Sequence, residues 1–117
     1  MTGPDVIPAT AEVIQRFYGA PPVRTQMAVA VVDGDRVLGV GGIYLHAGCW
    51  VMFSDMTDEL RRKKRALIRA VRAVLAMTRG RSIPVVALAD PQIPGSDVLL
   101  RHMGAEHVAD GVYAWPA

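Results

Sequence analysis

The chain has 117 residues, 51% of them hydrophobic, with 13 Lys and Arg against 11 Asp and Glu and one cysteine. Such a composition supports a single folded domain with a real core; it excludes disorder, and no apolar run approaches the ~18 residues that a bilayer-spanning helix needs. Cys49 has no internal partner, and no charged segment, apolar run and cleavage site open the chain, so a reducing, cytoplasmic setting is expected.

In chain order, Val6-Ile7-Pro8 predicts a very short edge strand, because proline is tolerated at edges. Thr10 is placed to cap a helix over Ala11 to Tyr18, whose Val13, Ile14 and Phe17 share a face and which Gly19 stops. Met27 to Val32 reads as a buried strand, Asp33-Gly34-Asp35 as a hairpin turn, and Arg36 to Leu45 as the return strand. The glycines at 39, 41 and 42 weaken that strand but allow a bulge or the close approach of another backbone. After a turn at His46-Ala47-Gly48, Cys49 to Phe53 forms a third strand.

Thr57 is the next cap candidate, with Asp58 and Glu59 in the first turn where the macrodipole favours acids. From there the spacing predicts one uninterrupted helix to about Arg79, with Gly80 at its C-terminus. Its apolar stripe is Leu60, Leu67, Ile68, Val71, Val74, Leu75 and Thr78, and Lys64 falls among them on the sheet-facing side. The opposite stripe is basic. Seven of the 13 cations lie between Arg61 and Arg72, a window without a single acid. Ile83 to Ala89 then reads as a buried strand, Asp90 to Gly95 as a loop, and Asp97 to Met103 as a helix capped by Ser96 and closed by Gly104. Ala105 to Trp115 reads as a final hairpin turning at Asp110-Gly111. The expected architecture is α+β, a mixed and mainly antiparallel sheet with helices on both faces, in one domain over residues 1–117.

This order resembles the GCN5-related N-acetyltransferase fold over nearly the whole chain, from Val6-Ile7-Pro8-Ala9-Thr10 to the terminal hairpin. In that family a central strand splays from its neighbour to admit the pantetheine arm, and the next helix begins at a pyrophosphate loop of pattern Gln/Arg-x-x-Gly-x-Gly/Ala. The pattern falls on Glu59-Leu60-Arg61-Arg62-Lys63-Lys64, followed by Arg65. Glu59 stands for the Gln/Arg, Arg62 and Lys64 for the two glycines, and Leu100 for the family's tyrosine general acid. The resemblance implies an acyl-CoA-dependent N-acetyltransferase acting by direct attack of an amine on acetyl-CoA. Its cofactor-binding residues would be Phe53, Ser54, Asp55, Arg61, Arg62, Lys63, Lys64 and Arg65. A non-catalytic relative of the family, a binding or structural protein such as occurs in phage genomes, is the alternative.

Asp55 and His46 are the candidate proton acceptors for the amine. The same residues have plainer readings, Asp55 as a backbone acceptor before the helix and His46 as a turn histidine. Cys49 reads as a small strand residue, and His102 and His107 lack metal-ligand spacing, so no metal is expected. The basic stripe is either a solvated helix face, a phosphate site for CoA, or a polyanion surface. Being almost wholly Arg and Lys, it lacks the mixture of side chains with which a recognition helix reads base edges, so any nucleic-acid contact would be non-specific in sequence and steeply salt-dependent. Trp50, Tyr113 and Trp115 on a small sheet suggest exposed apolar area and a homodimer.

Overall fold

The computed structural model describes residues 3–89 and 95–115. The elements are β1 (Asp5–Pro8), α1 (Ala11–Tyr18), β2 (Gln26–Asp33), β3 (Arg36–His46), β4 (Cys49–Met56), α2 (Asp58–Arg62), α3 (Lys64–Ala76), β5 (Val85–Leu88), α4 (Ser96–His102), β6 (Glu106–Ala109) and β7 (Val112–Trp115). The strands form a seven-stranded sheet in the order β1-β2-β3-β4-β5-β7-β6. Every neighbouring pair is antiparallel except β4–β5. The chain is thus a mixed α/β protein built on a mostly antiparallel sheet. No helix among the described residues is long and apolar enough to cross a membrane.

Alternation along the strands divides the core between the two faces. On one face Ala30 and Val40 meet Val13 and Phe17 of α1. On the other, Val31 and Leu38 meet Leu60 and Ala66 of α2 and α3, and Ile43 and Val85 belong to the cluster that holds Leu75 and Leu100. Two glycines in β3 make this packing possible. A Cβ on Gly42 would stand 2.0 Å from the Met27 carbonyl oxygen of β2, and one on Gly39 2.5 Å from a Leu60 methyl. A bulge does occur in the β2–β3 ladder, as a register shift between Val31 and Val32 opposite Leu38, one residue before the first of the strand's glycines at 39, 41 and 42.

Helix ends follow their local chemistry. The Thr10 hydroxyl accepts from the Val13 amide at 3.4 Å, and Thr57 accepts from the Leu60 amide at 3.3 Å. Gly19 closes α1 in the left-handed conformation. The long helix, however, is not continuous. Lys63 leaves helical geometry at φ −95° and ψ 76°, so the stretch is two helices, and the second ends at Ala76 rather than near Arg79. Gly80 keeps its left-handed φ of 66°, but in the turn beyond the helix. α4 begins at Ser96 itself, with Gly95 at the cap position, and the expected loop over 90–94 lies outside the described residues.

The break re-registers the helix on the sheet. A continuous helix would hold Leu60 and Lys64 on one face, about 40° apart. Instead Leu60 is buried while Lys64 and Ile68 point to solvent, and Ala66, Ala70 and Val74 form the inner stripe. Small alanines there let α3 lie close to β1 and β2. The aromatics expected at the surface are also internal: Tyr113 and Trp115 are core, with the Trp115 indole donating to the Met103 carbonyl at 3.0 Å. The exposed apolar side chains are others, among them Leu88, Val98, Leu99 and Val108.

The β3–β4 turn has both Ala47 and Gly48 at positive φ, 49° and 81°, a type I′ arrangement in which a Cβ at the first position is strained. Ala47→Asn is expected to raise stability by about 0.5–1 kcal/mol, since asparagine tolerates that conformation. Gly42→Ala should lower it by about 2 kcal/mol or more, because the new methyl meets backbone. Urea midpoints of the two variants, with unchanged slopes, check both.

Candidate functional site

β4 carries the junction. Its partner on one side is β3, paired along the strand from Cys49 to Met56. On the other side it pairs with parallel β5 only at Trp50↔Val85 and Val51↔Val86. Beyond that point β4 continues from Met52 to Met56 with no partner across the seam among the described residues. The gap opens toward the end of β4 that passes through Thr57 into α2 and α3. Thr57 anchors this corner, since its amide and hydroxyl both donate to the Leu38 carbonyl at 2.9 Å while its oxygen caps α2.

The candidate residues do not form a single cluster. Phe53 and Asp55 lie on the α1 face, and Ser54 between them faces the α3 side. His46 pairs with Cys49 at one end of the β3–β4 ladder, and Asp55 pairs with Val40 six residues further on, roughly 20 Å away. The two candidate proton acceptors are therefore not brought together. Asp55 accepts instead from the Tyr18 hydroxyl at 2.6 Å. Burial, and then the Asp55 carboxylate, push the Tyr18 phenol well above its usual range, with Arg24 opposing; the hydroxyl stays protonated and donates. Beside this pair the Arg24 guanidinium stacks 3.8 Å from the Tyr44 ring and 4.6 Å from that of Phe53.

The cations divide as well. Arg61 pairs with Asp58 at 3.2 Å. Lys63 turns away from the gap to Asp33 at 3.4 Å and Glu59 at 3.5 Å. Arg36 from β3 grips Glu59 through both guanidinium nitrogens and also reaches Asp33 at 3.5 Å. The Arg36 hydrogen bonds hold Glu59 below the ordinary carboxylate range, and Glu59 raises Arg36 in return. A cleft of about 460 Å³ opens beside this network, lined by Phe17, Arg36, Leu38, Thr57 and Glu59 among others. Arg62, Lys64 and Arg65 have no acidic partner among the described residues and are exposed. α3 begins without a side-chain cap and without an acid in its first turn, so its open amides and the positive end of its dipole are uncompensated. No group of three metal-ligating side chains occurs among the described residues.

Tyr18 and Arg24 were not legible as site residues in the sequence. Tyr18 lies 37 residues from Asp55, and only the docking of α1 joins them. Arg24 follows a Pro-Pro loop and has no pattern to single it out. No protein-family model matches the chain, and no curated protein sequence matches it.

Because the folded pKa of Glu59 lies below its ordinary 4.5, its pairing adds stability above that value and loses it as pH falls through the folded pKa. Carboxyl-carbon NMR titration should place Glu59 below 4.5 in the parent and closer to 4.5 in Arg36→Ala. An unshifted midpoint in the parent would contradict the bidentate pair.

Proposed function

We propose that the protein is an acyl-CoA-binding N-acetyltransferase of the GCN5-related type, transferring an acetyl group to an amine by direct attack on the thioester. The observation that carries this reading is the β4–β5 seam, closed at two residue pairs and then open along the end of β4, from which the chain passes through α2 to the uncapped, cation-flanked start of α3. An extended pantetheine arm would find unpaired β4 backbone in that gap, which suits recognition by main-chain hydrogen bonds. The pyrophosphate would lie at the start of α3, where amides, helix dipole, Lys64 and Arg65 all favour an anion. The Ser54 amide, which strand alternation turns toward the gap while those of Phe53 and Asp55 face β3, would polarise the thioester carbonyl. Asp55 is the favoured proton acceptor, because Tyr18 holds its carboxylate in place; His46 lies at the far end of the strand.

One observation supports the second reading, a non-catalytic relative that binds or assembles. Leu100, where the family resemblance asks for an acidic tyrosine, is buried in the core and has no proton to give. Self-association belongs to either reading, through exposed apolar side chains such as Val98 and Leu99 on the outer side of α4.

Calorimetry with acetyl-CoA at low salt should give a one-to-one complex that weakens as salt rises, because phosphate pairing is screened. Lys64→Ala should bind more weakly and with a shallower salt dependence. No heat at millimolar ligand would put the non-catalytic reading first.

A further inference from the structure

The outward face of α3 is cationic and carries no acid. Between Glu59 and Asp90 the chain contains no acidic residue at all. Within that span Arg65, Arg69 and Arg72 recur at four- and three-residue intervals, all exposed. At 100° per residue they fall within about 60° of one another, on the side away from the buried stripe of Ala66, Ala70 and Val74. None of the three pairs with an acid among the described residues, and Arg69 reaches only the Pro4 carbonyl.

This arrangement works against the helix that carries it. Like charges at such intervals repel, and cations in the first turn oppose the dipole. α3 has Lys64 and Arg65 in its first turn, no acid there, and no base in its last turn, the reverse of a stabilising distribution. A solvated face selected for stability would be charged the other way round. An external polyanion would relieve that cost.

We propose that the Arg65–Arg69–Arg72 face of α3 binds nucleic acid through the phosphate backbone, without reading its sequence. The row spans about 10.5 Å of helix, about the axial rise of three successive phosphates of one strand. Arginine contacts phosphates well, and although one arginine can pair with guanine, α3 has no Asn, Gln or acidic side chain to read the other bases. An anionic membrane fits less well. A surface-lying helix needs an apolar face for the lipid, and that of α3 is committed to the sheet, with Ile68 the exposed exception at 51%. A protein partner would want an apolar centre to the patch, which the row lacks.

The test is fluorescence anisotropy with a labelled mixed-sequence DNA duplex, unrelated duplexes as competitors, and no acyl-CoA present. Between about 50 and 200 mM salt the affinity should fall roughly 40- to 150-fold for three or four phosphate contacts, and competitors should perform alike. Arg69→Gln/Arg72→Gln lies beyond the helix start proposed for CoA, so it tests the row and not that site. It should lower the log–log salt slope by about 1.8, whereas Arg101→Gln, a charge lost elsewhere, should leave the slope as it is. No binding at about 50 mM salt, or a slope unchanged in the double variant, overturns the proposal. So does capture by phosphatidylserine vesicles with no binding to the duplex.

Discussion

The break at Lys63 is the constraint on which the rest of the helical layer depends. No proline or glycine causes it. Leu60 is drawn into the space over Gly39, and Thr57 is fastened to β3, so α2 is fixed in its own register. α3 has a different demand, to lay its alanines against β1 and β2. One straight helix cannot satisfy both. Lys63 absorbs the difference, and its ammonium stabilises the kink by joining Asp33 and Glu59 on the β2–β3 hairpin side. Arg36 completes the network, so two carboxylates are shared by two cations. Exposed pairs of this kind contribute modestly one at a time, and their value here is positional, since they set where α3 starts.

That start determines the electrostatics. The kink spends Lys63 on internal acids and turns Lys64 outward, which leaves a positive helix end flanked by unpaired cations. Farther along, Arg65, Arg69 and Arg72 stand clear of every acid among the described residues. The sheet separates these positive features from Asp55, Tyr18 and the Arg24 stack on its other face.

Much of this was legible from residue order alone. The caps at Thr10 and Thr57, the stop at Gly19, the hairpin turns at Gly34 and Gly111, and the existence of β2 through β4 as strands are decided by neighbours in sequence. Local steric and hydrogen-bonding chemistry suffices for them. Clustering of cations between Arg61 and Arg72 was equally plain, since composition needs no geometry.

What the tertiary structure decided is how those parts meet. Periodicity read one helix from Asp58 to Arg79 and placed Lys64 inward, because a regular pattern contains no information about two packing sites out of register. Tyr113 and Trp115 looked like surface aromatics until β7 was inserted between β5 and β6, which put them in the core. His46 and Asp55 looked comparable as proton acceptors, and the antiparallel ladder set them at opposite ends. The Tyr18–Asp55 bond required α1 to dock over β3 beside β4, a contact between residues with no shared pattern. Sequence determined the strands, the caps and the charge; long-range packing divided the helix and chose which side chains share a surface, because that choice is made by elements far apart in the chain.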